Sequence, residues 1–459
     1  MTQPEPTDPG EQPAQPAQAG LKRLSPLSPF VRSWIFFVAL LGITWQNLGG
    51  GETGPIIVLL IVVVLVGLIY GFFSWLLTKY WIDGAELRIE TGVISRQSRR
   101  IRIDRLQGVD VVQPMVARIL GLAELRFDVA GGKAEGTLAF LPLAEADELR
   151  TVLLSRRDIY RAPTASLDAA NSDTAQSSEQ AAPAQPAPER ELARVDPGLL
   201  IASTALTPQF IALALAAGAF GVLSSLGGSF GAGAGVVPVL IGFGVMVFRR
   251  INRFYKYAVT DSATGLHLAG GLLERASQTI VLHRVQGVVV SEPLMWRALG
   301  WARLEVSVAG ASSDSDDETK RGSTVLPVAN RDEVLDLAQH LLSGLDFRSV
   351  PLTPPPGRAH WLAPIGAFFQ SAGQDETTLV SRSGWFDRRT MIAPHRRAQS
   401  LTVQQGPLQR LLRLADLRVD SPPGPVSVRF QNRDQDWTRA DLEVARQRAG
   451  AARRAAFGP

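Results

Sequence analysis

The sequence predicts an α+β membrane protein with four transmembrane helices and three copies of one antiparallel β domain. The first observation is internal repetition, because Arg105–Gly131 recurs as Arg284–Gly310 at a constant offset. A more divergent copy begins at Arg397. The second observation is that uncharged apolar stretches occur in pairs ahead of the first two copies. The third is that a helix-like segment follows every copy.

Each copy reads as strand, short helix, strand. In the first copy, Ile101–Val111 alternates apolar with polar side chains, and Gly108 within this run indicates a β-bulge. Pro114 suits the first position of a short helix and Gly121 suits its end. A second alternating run, Leu125–Val129, completes the unit as a half-buried strand.

A hairpin precedes each unit and a helix follows it. Glycines mark the hairpin turns at Gly92, Gly270–Gly271 and Gly384. The candidate helices are Ala144–Arg156, Ala329–Leu342 and Asp436–Arg446. Many short strands joined by short connections favour antiparallel pairing.

Paired apolar stretches followed by R-x-Q-[GS]-V…P-x-x-R-x-x-G-L-x-x-L-x-V resemble the bacterial PH-like domain membrane proteins of the YdbS/YdbT-like family. The resemblance covers most of the chain, in three copies. The third copy departs from the pattern at Ser400 and has no apolar pair of its own. The resemblance implies that each copy is a bent PH-like antiparallel barrel, closed at one end by its C-terminal helix. It implies a fold and a location, and no activity.

Three stretches are long and free of charge: Ser33–Gly51, Gly54–Leu77 and Pro197–Phe248, the last divided by the glycine-rich Gly227–Gly235. Apolar runs of this length are rare in soluble domains, so they predict two transmembrane hairpins. The alternative is a pair of buried helices in a soluble domain. Trp361–Phe369 is apolar but too short to cross a bilayer.

The orientation follows from the flanking positive charge. Lys22 and Arg23 precede the first apolar pair, Lys79 follows it, and Arg249 and Arg250 follow the second pair. The positive-inside rule then predicts a multi-pass protein of the cell membrane, with both termini and all three domains in the cytoplasm.

These observations divide the chain into nine segments. The expected order is a disordered tail (1–32), transmembrane hairpin 1 (33–78), PH-like domain 1 (79–157), a flexible linker (158–196), transmembrane hairpin 2 (197–248), PH-like domain 2 (249–347), a linker (348–373), divergent PH-like domain 3 (374–450) and a basic tail (451–459).

The sequence carries no recognisable catalytic or metal-binding pattern. Cysteine is absent, and the five histidines have no metal-ligand spacing. Phosphate-loop, dinucleotide-binding, zinc-protease and nucleophile-elbow motifs are missing. The acidic run Asp314–Glu318 lacks the spacing of a calcium loop and reads as a solvated turn. We therefore expect a non-enzymatic protein without a cofactor or a metal.

Basic clusters are the strongest functional signal, because cations beside a membrane attract anionic lipid. The candidate membrane-surface or head-group contacts are Arg99, Arg100, Arg249, Arg250, Arg253 and Lys256. The alternative is that these charges only set the topology. Nucleic acid is not expected as a partner, because no aromatic side chains interleave with the arginines.

The repeated Arg-x-Gln motif allows two interpretations. It either binds head groups or serves the fold of each copy by hydrogen bonding at the bulge, and we favour the structural interpretation. The residues concerned are Arg105, Gln107, Gly108, Arg284, Gln286, Gly287, Arg397 and Gln399.

The expected function is a membrane-anchored scaffold on the cytoplasmic face that binds an unidentified protein partner or associates with itself. The alternative is a protein that senses or handles anionic membrane lipids. For the third copy we expect Leu417–Val419 to pair with Leu401–Val403, with Pro407–Leu412 as the connecting helix. Having no apolar pair, this copy is expected to dock on another copy instead of on the bilayer.

Overall fold

The structure of this 459-residue chain is a computed structural model. It describes residues 22–23, 25, 62, 65, 69, 72–73, 76–91, 97–129, 136–169, 190–227, 236–262, 265–309, 323–422 and 424–457. The chain divides into two compact units. The first comprises 1–109, 116–130 and 134–175, and the second comprises 110–115, 131–133 and 176–459.

The first unit contains most of the first copy. The strands and helices of this copy are β1 (Lys22–Arg23), β2 (Lys79–Asp83), β3 (Glu86–Thr91), β4 (Gln97–Arg102), β5 (Leu106–Gln113), α1 (Met115–Ile119), β6 (Leu122–Val129), β7 (Gly136–Pro142) and α2 (Leu143–Ala169); residues 110–115 among them belong to the second unit. Strands β1 to β4 pair antiparallel in chain order. Alternate side chains such as Leu87 and Ile89 are buried, as expected for a sheet with one covered face. The Tyr80 hydroxyl donates to Glu145 Oε1 at 2.8 Å, tying β2 to α2.

The second unit begins with β8 (Arg190–Arg194) and three helices, α3 (Pro197–Ala205), α4 (Pro208–Gly227) and α5 (Val236–Phe254). Asp196 caps α3 by accepting a hydrogen bond from the Leu199 amide at 3.1 Å, and Pro197 follows at the first helical position. The second copy then runs through β9 (Ala258–Ser262), β10 (Gly265–Gly270), β11 (Arg275–Ile280), β12 (Val285–Pro293), α6 (Leu294–Ala298), β13 (Trp301–Val308), β14 (Thr324–Asn330) and α7 (Arg331–Leu341).

The third copy repeats the same element order. It comprises β15 (Ser371–Gln374), β16 (Thr378–Ser383), β17 (Asp387–Pro394), β18 (Ser400–Gln404), α8 (Pro407–Leu411), β19 (Leu414–Asp420), β20 (Arg429–Asp434) and α9 (Gln435–Phe457). Leu401 pairs with Val419 and Val403 with Leu417, so the expected pairing in this copy is confirmed. Helix α8 connects the two strands, as expected.

A six-stranded antiparallel sheet joins the second and third copies, in the order β14-β13-β12-β17-β16-β15. The junction is the pairing of β12 with β17, in register from Val288 opposite Ile392 to Pro293 opposite Asp387. All nine residues of β12 are buried. Val288 packs in the core of the second copy, whereas Val289 packs in the core of the third. The two copies therefore share this strand, and the expected docking of the third copy on another copy is observed.

The sheets differ from the closed barrels expected for each copy. In the described part of the chain the strand orders are open, with a terminal strand at each end; in the third copy β18-β19-β20 form a separate sheet from β15-β16-β17. The sheets remain open because β12 and β17 satisfy each other's backbone groups across the two copies. Each is then unavailable to close its own copy. The α+β class and the helix after each copy are observed.

The prediction of four transmembrane helices is also corrected. In the described ranges no single helix is long and apolar enough to cross a membrane; one pair, Pro197–Ala205 with Pro208–Phe220, qualifies only in combination and bends by 51°. The break precedes Pro208, which lacks a backbone donor and disfavours helix in the residue before it. Charged Arg249 shortens the apolar part of α5. Most of the predicted hairpin 33–78 lies outside the described residues.

Several turns expected from glycine are confirmed. Gly121 and Gly300 end the short helices α1 and α6 with positive φ angles of 68° and 70°. Gly271 and Gly384 take positive φ angles in the hairpins of the second and third copies. Arg413 takes a φ of 53° at the corresponding helix end of the third copy. The third copy therefore keeps the left-handed turn without the glycine that suits it. The turn expected at Gly92 lies outside the described residues.

Candidate functional site

The end of helix α5 brings the basic cluster onto the second copy. The Asn252 carbonyl accepts a hydrogen bond from the Leu272 amide at 2.8 Å, and its side-chain Oδ1 accepts from the Leu273 amide at 2.7 Å. The Gly271 amide donates to the Tyr255 carbonyl at 3.0 Å. The β10–β11 hairpin thus satisfies carbonyls that the helix end would leave without partners, and the last turns of α5 are fixed against the sheet.

A cavity of about 360 Å³ lies against these turns. Its walls carry four arginines and one carboxylate, together with apolar side chains. The lining residues are Gly242, Val245, Met246, Arg249, Arg250, Arg253, Phe254, Arg303, Glu305, Thr324 and Pro327. Its volume falls within the range of small-ligand sites, roughly 300–1,000 Å³. The combination of cations with an apolar wall suits an amphipathic anion.

A buried tryptophan packs against two of the arginines. The Cζ atom of Arg250 lies 5.7 Å from the centroid of the Trp296 ring, and that of Arg303 lies 5.4 Å from it. Trp296 is fully buried, and its indole nitrogen donates to the Ser203 carbonyl at 3.0 Å. The ring is therefore held by α3 while its π electrons stabilise the guanidinium groups.

Arg250 is the least satisfied group of the cavity. Its Nε and one terminal nitrogen are buried and have no hydrogen-bond partner among the described residues. Burial, followed by repulsion from Arg303, lowers the pKa of Arg250 to about 9, although Glu305 opposes the shift. A buried donor without an acceptor is costly, and the cost is greater for a charged group. An anion with several acceptor oxygens would remove that cost.

One carboxylate offsets part of the positive charge. Glu305 Oε1 lies 3.8 Å from Arg303 Nη1 on the neighbouring position of the same strand face. The walls thus carry four arginines, Arg249, Arg250, Arg253 and Arg303, but Glu305 is their one carboxylate. The cavity as a whole is cationic.

A second cavity of about 320 Å³ shares Arg249, Arg253 and Phe254 with the first. It extends along β10 and β11 to Leu268 and Gln278. Buried Tyr257 lies on its wall, and its hydroxyl donates to the Thr324 carbonyl at 3.2 Å. Burial raises the pKa of Tyr257, so this hydroxyl remains a donor at neutral pH.

The predicted contact residues separate into two groups. The structure brings Arg249, Arg250 and Arg253 together around the cavity, whereas Lys256 is exposed and lies 5.8 Å from the Tyr255 ring centroid. Arg99 and Arg100 are exposed on β4 of the first unit.

The Arg-x-Gln motif has different surroundings in each copy. In the second copy Arg284 donates to the Ala309 carbonyl, and buried Gln286 donates to the Arg284 carbonyl at 3.0 Å. In the third copy Arg397 instead donates to the His283 carbonyl, a contact with the second copy, and Gln399 is exposed. These bonds to backbone carbonyls support the structural interpretation.

The remaining members of the motif are the glycines and the first-copy residues. A Cβ on Gly287 would lie 2.7 Å from the Ile392 carbonyl oxygen, so this position requires glycine where β17 approaches. In the first copy Arg105 is exposed and Gly108 is half-buried in β5, while the side chain of Gln107 lies outside the described residues.

Sequence reasoning missed Arg303 and Trp296. Arg303 occupies a polar position in an alternating strand, and Trp296 stands in a short apolar helix, so neither is marked by a local pattern. Both come together with Arg250 only through the tertiary fold. The one local signal was the pair of arginines ending an apolar helix.

Comparison with known proteins gives two matches. The bacterial PH domain family matches residues 35–157, 208–345 and 359–437. The chain is 24% identical over 266 residues to UPF0699 transmembrane protein YdbT of Bacillus subtilis (strain 168). That similarity covers 53% of this chain and 52% of the relative, so it spans about half the length of the curated protein. No solved structure matches the chain at a significant level.

Proposed function

The chain belongs to the bacterial PH domain family. We propose that it is a non-enzymatic membrane protein whose arginine-lined cavity binds the phosphate of an anionic lipid head group. The similarity to a transmembrane protein of Bacillus subtilis supports the membrane location. The positive charge that ends α5 supports a cytoplasmic position for the cavity.

The single observation that carries the proposal is the unsatisfied guanidinium of Arg250. Phosphate oxygens accept strong, charge-assisted hydrogen bonds from arginine, and the planar guanidinium matches their geometry. A phosphate in the cavity would supply acceptors to Arg250 and neutralise the repulsion between Arg250 and Arg303.

The apolar wall favours a lipid over a free phosphate. Val245 and Met246 line the cavity and are 45% and 50% exposed. An inorganic phosphate would leave these side chains in water, whereas the glycerol and upper acyl chain of a phospholipid would cover them. The ligand class is therefore an anionic phospholipid.

The test is ligand binding by the full chain in a non-ionic detergent. The probes are short-chain phosphatidylglycerol, short-chain phosphatidylcholine and inorganic phosphate, with binding followed by calorimetry. We expect phosphatidylglycerol to bind and Arg250→Met to weaken it about 10-fold or more, since it removes charge-assisted hydrogen bonds. Equal binding of inorganic phosphate would identify a free-phosphate site, and equal binding of phosphatidylcholine would show that the apolar wall alone attracts the ligand.

Arg275→Met is the matched control, because Arg275 is exposed on β11 and does not line the cavity. It should bind phosphatidylglycerol like the unmodified chain. Arg250→Met should also raise the thermal midpoint of the ligand-free protein, because it removes a buried charge without a partner. Unchanged phosphatidylglycerol binding in Arg250→Met would refute the proposed site.

A scaffold is the second candidate function, and the shared β12–β17 junction favours it. Copies of this domain recognise one another by strand pairing, and the outer edge of β18 pairs with no strand in the described part of the chain. An open edge is a ready template for a partner strand. Light scattering of the detergent-solubilised chain distinguishes a single copy from an assembly, and a single copy at all concentrations would argue against self-association.

A further inference from the structure

The third copy exposes five large apolar side chains on one surface. Their exposed fractions are 85% for Trp361, 60% for Ile365, 73% for Phe368, 41% for Trp385 and 56% for Phe386. We refer to these five residues as the aromatic patch. Soluble surfaces rarely concentrate exposed aromatic side chains, and such patches mark protein or membrane contacts.

A ring contact joins the two pieces of chain that carry the patch. Trp385 lies 4.1 Å from Phe386 and 6.3 Å from Phe369, measured between ring centroids. Phe369 ends the 3₁₀ segment Gly366–Phe369, which also carries exposed Phe368. Phe369 therefore packs the segment against the β16–β17 hairpin, next to exposed Trp385 and Phe386.

The patch rests on a fixed base. Ala359 and Ala367 are buried in one small core with Leu414 of β19. In addition, Arg358 donates to the Arg413 carbonyl at 3.2 Å and pairs with Asp434. Burial of the two alanines holds the segment while its large side chains point away from the core, so their exposure follows from the fold.

Helix α6 connects the patch with the arginine-lined cavity. The Leu294 amide donates to the Phe386 carbonyl at 2.7 Å, and Arg297 donates to the Trp385 carbonyl at 2.8 Å. Trp296, between them, packs against Arg250 and Arg303 of the cavity. One short helix thus contacts both features.

The repeat gives the patch a specific position. In the second copy the end of α5 packs against the hairpin that turns at Gly271. In the third copy the hairpin that turns at Gly384 packs against Phe369 instead. The segment that carries Trp361 and Phe368 therefore takes the place of the end of α5. Helix α5 itself exposes apolar side chains along its length, such as Ile241 (62%) and Phe248 (52%).

We infer that the aromatic patch inserts into the interfacial region of an anionic bilayer. This inference departs from the expectation that the third copy docks on another copy instead of on the bilayer, since this copy does both. Tryptophan and phenylalanine suit this region, where apolar rings enter the lipid and arginines remain at the head groups. Arg297 lies directly beside the patch, because it donates to the Trp385 carbonyl, and it complements anionic lipid. The inference rests on the membrane location in the proposed function, and not on phosphate binding in the cavity.

The experiment uses the natural absence of cysteine. Phe368→Cys in the full chain is labelled with an environment-sensitive fluorophore and reconstituted in vesicles of phosphatidylethanolamine and phosphatidylglycerol. We expect a blue-shifted emission that lipid-borne spin quenchers reduce and aqueous iodide does not. Gln447→Cys, exposed on α9, is the control and should show the opposite pattern.

Two results would overturn the inference. Emission like that of the control, with full access to iodide, would show that the patch faces water. Protection from both quenchers would show that protein covers it. Ile365→Cys, which is also exposed, repeats the measurement in case the first label perturbs the fold. Adding Arg250→Met distinguishes the two proposals, because the label should stay in the lipid even if the cavity binds no phosphate.

Discussion

At the scale of single residues, buried His395 predicts a stability change at mildly acidic pH. Its Nε2 lies 3.1 Å from the Asp375 carbonyl oxygen, and its Nδ1 has no hydrogen-bond partner among the described residues. Burial lowers the pKa of His395; the hydrogen bond and charge of Asp375 oppose this shift, while Arg448 adds to it. The unfolded chain then binds a proton more readily than the folded chain as the pH falls through about 6.5.

We therefore expect the third copy to lose stability below that pH, by no more than about 1.4 kcal/mol per pH unit. Thermal unfolding at a series of pH values measures the slope, and His395→Gln should flatten it. Asp375 adds a separate loss at lower pH: although burial opposes it, hydrogen bonds from Thr378 and Thr377 lower the pKa of its carboxyl. A slope that is unchanged in His395→Gln would contradict the assignment.

Single residues also show where sequence reasoning reached its limit. Arg249, Arg250 and Arg253 were identified from a local pattern, because a basic group ending an apolar helix is visible in a short window. The contacts of Arg250 with Trp296 and Arg303 depend on strands far apart in the chain. No local sequence pattern predicts that these three side chains contact one another, so the cavity could not be predicted from the sequence.

At the scale of elements, the β12–β17 junction depends on Gly287. A Cβ there would lie 2.7 Å from the Ile392 carbonyl oxygen and 3.0 Å from Val426 Cγ1. We expect Gly287→Ala to lower the free energy of unfolding by about 1–3 kcal/mol, as overpacking does in a well-filled core. Denaturant titration of the solubilised chain measures the change.

Gly357→Ala is the matched control for this substitution. A Cβ at Gly357 would meet no atom within 4 Å, and its backbone has no positive φ. Its effect should stay within about 0.5 kcal/mol, as for other surface changes. Equal losses at the two positions would show that the junction does not depend on the close approach at Gly287.

The elements themselves were largely readable from sequence. Alternation and glycine turns predicted the hairpin of the second copy, and helix patterns predicted α2, α7 and α9. The strand that pairs with an exposed edge could not be predicted, because alternation specifies which face of a strand is buried and not which strand lies beside it. Because the sequence does not specify these pairings, closed barrels were expected where β12 and β17 in fact pair across copies. The apolar content likewise predicted transmembrane helices, whereas in the structure the helix bends before Pro208, and Arg249 shortens the apolar part of α5.

At the scale of the whole molecule, the second and third copies are one folding unit. Val380 and Ile392 of the third copy belong to the core of the second, and Val289 of the second belongs to the core of the third. Removing residues 351–459 would leave β12 without β17 and expose Val289. We expect this deletion to increase proteolysis and aggregation of the remaining chain, measured by limited digestion and light scattering.

Removing only residues 451–459 is the control, because it leaves the six-stranded sheet intact. That shorter deletion should digest like the full chain. If the long deletion were equally resistant, the shared core would contribute little to the stability of the second copy.

The buried strand β12 also has a consequence during synthesis. Its paired neighbour, Asp387–Pro394, emerges from the ribosome only after β13, β14, α7 and the first strands of the third copy have been made. Until then the nascent chain exposes an apolar strand edge whose backbone groups are unpaired. Chaperones bind surfaces of this kind, and premature termination of synthesis would leave this edge exposed. The order of translation therefore makes the divergent last copy the step that completes the fold of the copy before it.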